Sequence, residues 1–328
     1  MSPPSPLSAR LAADFFGRAL SAFQSSGSKL QVICTVPPSP SREGEPEVLP
    51  PLVRPQTLVV FDSSFNPPTR AHLRMATSGV LKLMQKLGPC PGAIRLLLLL
   101  SINNADKDAR PAAFDKRLAM MWAFAQDVQS SLLMWFGNKQ EAWEAQDFNV
   151  DLGLATVPYF HEKSAALAEA GFYKGQRDPD NGPAETEQVF LVGYDTLVRI
   201  LNPKYYGPPE TAGEVAATEQ TPLQKALDPF FARAKLRVTM RADDEWGGAD
   251  EQTAYLEDLL HADGLEKVGG VRAWGSRIEK ADGPKFGTEV ISSTYARAAV
   301  KSKDLARLDL MVTPQVKWWI LQENLYLE

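Results

Sequence analysis

Cysteine is nearly absent from this chain of 328 residues: Cys34 and Cys90 are the only two. Two thiols cannot build a disulfide framework or a structural zinc site. Buried thiols in a reducing compartment are therefore expected. Histidine is almost as scarce, with His72, His161 and His261 alone, which excludes a histidine-rich metal centre. No run reaches the roughly 18 apolar residues of a membrane span. The opening MSPPSPLSAR has no basic start followed by an apolar run, so a secretory signal is not expected. Positive charge is not in excess either. Lys plus Arg is 35 and Asp plus Glu is 40, a formal net charge of -5. That is a poor footprint for nucleic acid, and no nucleic-acid partner is expected. The expected location is cytoplasmic, with the nucleus left open, and nothing in the sequence sets the oligomeric state.

What the chain does have is a globular composition, 44% hydrophobic and 23% charged. Residues 7–23 carry Leu11, Phe15, Leu20 and Phe23 near helical spacing. A short apolar run over 30–36 follows, then a stretch over 37–55 rich in Pro, Ser and Glu that reads as a linker. These observations predict a leading segment, 1–55, and a main domain, 56–328. Within the latter, strands are predicted over 57–61, 93–100, 188–192 and 235–240. Helices are predicted over 69–87, 114–128, 249–262, 294–301 and 314–324. Alternation of this kind predicts an α/β fold, a Rossmann-like parallel sheet with helices on both faces. Surface insertions are expected near 171–187 and 202–222, where Gly, Pro and acidic residues gather.

The first chemical signal is FDSSFNPPTRAHLRMA, residues 61–76. A strand ends here and a helix begins near Thr69, a good N-cap. Early helical turns favour acids, yet this one carries Arg70, His72 and Arg74. A bound anion at the helix N-terminus would remove the conflict. Any one of these residues alone is accounted for by a solvated or satisfied side chain. As a set after a strand and a Pro-Pro turn they point to a phosphate site. The second signal is EVISSTYARAAV, residues 289–300. Ser293 is the expected N-cap, and Arg297 again sits at the wrong end for an unpartnered cation.

FNPPTRAHLRMA resembles the FNPxTxxHLR variant of the (H/T)xGH motif, and ISSTYAR resembles the ISSTxxR motif, of the nicotinamide mononucleotide adenylyltransferase family. The resemblance runs from about residue 57 to the C-terminus and implies a nucleotidyltransferase fold. The activity it implies is adenylyl transfer from ATP to nicotinamide mononucleotide (NMN), giving NAD and pyrophosphate, with Mg2+ bound mainly through ATP phosphates and without a dedicated set of protein ligands. It implies ATP contacts at Ser64, Phe65, Thr69, His72, Gly193, Asp195, Ser293, Thr294 and Arg297. The catalytic set is His72, Lys107 and Arg297, with Lys107 closing the SINNADK loop. Arg117 and Met120 are similar to the family's RxxM helix, and Gly193-Tyr194-Asp195 to its GAD segment.

There are departures. Ser63 and Ala71 stand where the family uses Gly. Val150-Asp151-Leu152-Gly153 is the nearest match to the VDxWE region, and it lacks the Trp and Glu that help hold nicotinamide. Ser64 and Phe65 are expected to lie between the two substrates. Tyr205 and Tyr206 are expected to rebuild the acceptor pocket, with Trp143, Tyr159 and Phe160 as other aromatic candidates. Two competing readings remain open at this level. One is a cytidylyltransferase for a phospho-alcohol. The other is a nucleotide-binding adaptor or weak ATPase that has lost transferase activity.

Overall fold

The computed structural model describes residues 6–38, 46–88, 92–103, 112–136, 148–177, 185–207, 220–240, 246–261, 263–281 and 290–327. Its frame is a seven-stranded sheet: β1 (Leu30–Val36), β2 (Thr57–Asp62), β3 (Ile94–Ser101), β4 (Val150–Ala155), β5 (Glu187–Gly193), β6 (Ala234–Thr239) and β7 (Ile278–Lys280). The spatial order is β1-β4-β3-β2-β5-β6-β7. Every pairing is parallel except the edge pair of β1 with β4.

The parallel strands are buried on both faces, and period-2 alternation divides their side chains between two cores. Val59, Phe61, Leu96, Leu98, Leu100 and Leu191 face one side. There they meet helices α1 (Pro6–Ser26), α2 (Arg70–Leu87) and α3 (Phe114–Phe136). Leu58, Val60, Leu97, Leu99, Phe190 and Val192 face the other. That side is covered by α4 (Phe160–Glu169), α5 (Tyr194–Ile200), α6 (Pro222–Arg233) and α7 (Ala249–Leu260), with the short α8 (Gly264–Lys267) beyond. Each of the five leucines from Leu96 to Leu100 is wholly inaccessible. Burying a leucine contributes about 1.5–3 kcal/mol, so this one run anchors the sheet. The chain closes with α9 (Ser293–Lys301), α10 (Leu305–Met311) and α11 (Pro314–Gln322) on the first face. Among the described residues no helix is long and apolar enough to cross a membrane.

The structure draws no packing boundary at residue 55. β1 pairs with β4, and Ala12, Phe16 and Phe23 of α1 are at most 1% exposed in the same core as Val59 and Phe61. Helix α1 docks on α3.

The reversal of strand order falls between β2 and β5. In open parallel sheets ligands bind in the crevice outside the carboxyl ends of the strands at such a point. The segments that leave there are 63–69, after β2, and 193–195, after β5. The loop of the first motif and the Gly193-Tyr194-Asp195 segment thus flank this switch point.

Candidate functional site

β2 runs out at Asp62, and the Ser63 amide extends its ladder to the Leu99 carbonyl. The chain then turns through Phe65, which has φ of +43° and no exposed surface. A non-glycine residue held there is strained. It is kept in place by the rings of Phe61, His72 and Phe124, at centroid distances of 5.6, 5.5 and 6.1 Å.

Thr69 caps α2 as expected, its Oγ1 accepting the His72 amide. The His72 side chain completes a capping box: the Thr69 amide donates to Nδ1 at 3.0 Å, and Thr69 Oγ1 lies 2.7 Å from the same nitrogen. Nδ1 is therefore an acceptor, and the ring proton of the neutral imidazole sits on Nε2. Nε2 lies 3.1 Å from Ser63 Oγ. Histidine does here what Glu does in the usual box, and it presents one N–H to the crevice. Arg70 turns away from the crevice. Its Nε donates to the Asp309 carbonyl at 2.9 Å, in the last turn of α10, where the helix dipole favours a cation. Arg74 is exposed.

The second motif arrives from 226 residues away. Ser293 Oγ donates to the Pro67 carbonyl at 2.8 Å, and Arg297 Nη1 donates to the Asn66 carbonyl at 2.8 Å. Arg297 Nη2 reaches Thr294 Oγ1 at 3.2 Å. The N-cap is Ser292, not Ser293: Ser292 Oγ accepts the Tyr295 amide. Ser293 is thereby freed to bind the first motif, and the amides of Ser293 and Thr294 occupy the orphan donor positions of the first turn.

Arg117 joins this cluster. It is 5% exposed, its Nε donates to the Ala112 carbonyl, and it stacks on Phe114. Burial lowers its pKa, Tyr326 opposes that shift, and Arg297 adds to it, so all three side chains share one electrostatic neighbourhood. Its Nη2 is buried with no protein partner.

Gly193 is the N-cap of α5, and Asp195 lies in that helix's first turn. The helix begins at Tyr194. A Cβ at Gly193 would stand 2.8 Å from Asp195 Oδ1, so a side chain there would crowd the carboxylate at the crevice. Lys107 and Trp143 lie outside the described residues.

Three aromatic candidates do gather. Tyr159 and His161 stack with centroids 5.7 Å apart; Tyr205 and Tyr206 each lie 6.5 Å from Tyr159. Tyr159 follows the carboxyl end of β4. Burial lowers the His161 pKa, which favours a neutral ring. Tyr206 is tied back to the body of the protein. Its hydroxyl donates to the Ile200 carbonyl at 2.6 Å, and it packs on the second core. Tyr205 is half-buried with Lys204 over its ring.

The VDxWE-like match is corrected by the sheet register. Asp151 pairs with Leu97, four residues before the carboxyl end of β4, roughly 13 Å from it at strand rise. It is fully buried against Arg95 Nη2 at 2.7 Å, Thr35 Oγ1 at 2.8 Å and the Tyr173 hydroxyl at 3.1 Å. Burial raises its pKa, opposed by Arg95 and the hydrogen bonds. It ties strands together and does not reach the crevice.

Sequence reasoning missed Asp62 and Lys163. Lys163 Nζ reaches Asp62 Oδ2 at 2.5 Å, with side chains 3% and 9% exposed, and Ser101 Oγ donates to Asp62 Oδ1. This buried pair sits at the carboxyl ends of β2 and β3. Asn66 and Tyr326 were missed as well: the Tyr326 hydroxyl donates to Asn66 Oδ1 at 2.8 Å.

Two Ser/Thr-capped helix starts and the His72 ring thus meet beside the switch point of the sheet. No protein-family model matches the chain. It is 32% identical over 250 residues to a Schizosaccharomyces pombe protein named "Putative nicotinamide mononucleotide adenylyltransferase", covering 75% of this chain and 77% of that one. The chain belongs to the nicotinamide mononucleotide adenylyltransferase family. Solved structures of a Plasmodium falciparum nicotinic acid mononucleotide adenylyltransferase, complexed with NaAD and with APC, align at TM-score 0.41. They are 13% and 14% identical, and each alignment covers 83% of this chain and 97% of the other.

Proposed function

We propose that the protein transfers the adenylyl group of ATP to NMN, forming NAD and releasing pyrophosphate. The observation that carries this is the junction of the two phosphate motifs, Ser293 on the Pro67 carbonyl and Arg297 on the Asn66 carbonyl, across more than two hundred residues. In the reaction an oxygen of the NMN phosphate bonds to the α-phosphorus of ATP. The bond to the β-phosphate oxygen breaks, and pyrophosphate leaves with the electron pair. The attacking phosphate is already anionic, so neither a general base nor a protein nucleophile is required. Alignment and charge stabilisation carry the chemistry.

The residues fit that task. The N–H on His72 Nε2 donates to a phosphoryl oxygen in place of Ser63 Oγ. Arg297 and the Ser293 and Thr294 amides hold the departing β and γ groups, a helix N-terminus being suited to anions. Lys107 is assigned to the same phosphates by resemblance. Thr69 fixes the His72 ring, and Gly193 and Asp195 border the adenosine. The backbone of Ser64 and Phe65 lies between the substrates. For the acceptor base, Tyr205 is the better candidate of the tyrosine pair, with Tyr206 supporting it and Tyr159 alongside.

Among the described residues no group of three His, Cys, Asp or Glu could hold a metal ion. The resemblance assigns magnesium to the ATP phosphates and water. When bound, such an ion neutralises charge on the leaving pyrophosphate.

The test is an assay of the purified chain with ATP, NMN and magnesium. Dinucleotide and pyrophosphate in equal amounts are expected. Turnover with CTP and a phospho-alcohol would favour the cytidylyl rival. ATP binding without acceptor-dependent pyrophosphate release would favour the adaptor.

A further inference from the structure

The last turn of the chain enters the site. After α11 the backbone passes through left-handed conformations at two non-glycine residues, Asn324 with φ of +50° and Tyr326 with φ of +67°. Such positions are costly and persist where surrounding contacts over-determine them. The contacts here are an ion pair of Glu323 with Lys116 on α3 and the packing of Leu325 and Tyr326 on the first core. The bend delivers the Tyr326 hydroxyl to Asn66 Oδ1 at 2.8 Å, between residues 260 apart in sequence. The ring alone would satisfy the core; the hydroxyl is what needs a partner, and burial pushes its pKa upward.

Asn66 is 4% exposed, and a buried carboxamide must be satisfied. By donating to Oδ1, Tyr326 fixes which end of that carboxamide is oxygen and which is the N–H2. The same residue's carbonyl accepts from Arg297, and its neighbour's carbonyl accepts from Ser293. Three donors from the C-terminal third therefore fasten two residues of the first phosphate motif, directly after the strained Phe65.

We infer that Tyr326 is a positioning residue, holding Asn66 so that the 63–69 loop and Arg297 keep the geometry that binds the nucleotide phosphates. This rests on the adenylyl-transfer reading of the crevice. Tyr326 acts through Asn66 and does not itself touch the nucleotide.

The test uses the full chain with Tyr326→Phe, Asn66→Ala and the double variant. ATP affinity is measured by calorimetry without acceptor, then kcat and both Michaelis constants, with thermal melts alongside. Loss of one neutral hydrogen bond should weaken ATP by about three- to tenfold. The Michaelis constant for NMN should stay within about twofold. Adding Tyr326→Phe to Asn66→Ala should change nothing further, because the hydroxyl acts through that side chain. A hydroxyl that serves only packing would lower the melting temperature without separating the two substrates, and that result overturns the inference. So does a full additional loss in the Asn66→Ala background. Should Tyr326→Phe fail to fold, Asn66→Ala breaks the same bond from the other side, and unchanged ATP affinity there refutes the role. A chain that binds ATP in a Tyr326-dependent way but makes no dinucleotide would sink the adenylyl-transfer reading and leave this inference standing.

Discussion

Arg297 Nη1 donates to the carbonyl of Asn66 at 2.8 Å. A guanidinium in the first turns of a helix is at the unfavourable end of the dipole, and a neutral carbonyl offsets only part of that cost. Its Nη2 reaches Thr294 Oγ1 on the same helix at 3.2 Å, again a neutral acceptor. Arg297→Ala should weaken ATP binding by about 1.5–3 kcal/mol, the range for charge-assisted hydrogen bonds, and leave the acceptor's Michaelis constant nearly unchanged. Calorimetry and steady-state kinetics on the same preparation check this. Unchanged ATP affinity with unchanged turnover would remove Arg297 from the site.

His72 has two jobs, and they separate experimentally. As the capping-box partner of Thr69 its Nδ1 supports the start of α2; the proposed reaction uses its Nε2 as a donor. His72→Ala should lower turnover by about two orders of magnitude or more, typical of a lost transition-state donor. It should also cost about 1 kcal/mol of stability through the lost cap, read as a lower melting temperature. A stability loss with full turnover would make His72 structural only.

The tyrosine pair should split. Tyr205→Ala is expected to raise the Michaelis constant for NMN severalfold and to leave that for ATP unchanged, since its ring neighbours Tyr159 at the end of β4. Tyr206→Ala should instead destabilise the protein, by less than the about 3–5 kcal/mol of a fully buried aromatic, because Tyr206 is partly buried against the second core. Chemical unfolding and substrate titrations distinguish the two. Equal effects of Tyr205→Ala on both substrates would defeat its placement.

Much of this architecture was legible in the chain, and the failures have a common cause. The leucine run of β3, the strand before FNPPT and the helix after it are local patterns, and they stand where the periodicity puts them. β4 was not legible as a strand because VDLGLA contains a buried Asp and a Gly. Asp151 is tolerated only through Arg95, Thr35 and Tyr173, which come from elsewhere in the chain. Lys163 looks like a surface residue until Asp62 is seen beside it. The charge state of His72 depends on a ring orientation that sequence does not encode locally. The C-terminal Tyr326 carried no motif, and its role comes wholly from a contact spanning the chain.

Asp127 gives a pH test that is independent of catalysis. Burial raises its pKa from the ordinary 3.8 to about 6, against the opposing Gln315 backbone bond and the charge of Arg70. It accepts the Gln315 amide at 3.2 Å at the start of α11. Because the folded protein holds this proton more tightly than the unfolded chain, its carboxylate costs stability above pH 6. The cost is relieved as pH falls from 6 towards 4, by about 3 kcal/mol at most. Urea unfolding of the wild type and Asp127→Asn at about pH 4.5 and pH 7.5 measures it. The wild type should gain relative to the variant at the lower pH. An equal difference at both values would mean that Asp127 titrates normally.

The measurement that bears most directly on the whole account follows the α-phosphate. Purified protein is given magnesium, NMN and ATP radiolabelled at the α-phosphorus, and the products are separated. The label should move into NAD only when NMN is present, with one pyrophosphate released per dinucleotide, and the transfer should collapse in His72→Ala and Arg297→Ala. Label recovered in ADP or AMP at the same rate with and without NMN, and none in a dinucleotide, would contradict adenylyl transfer at this site.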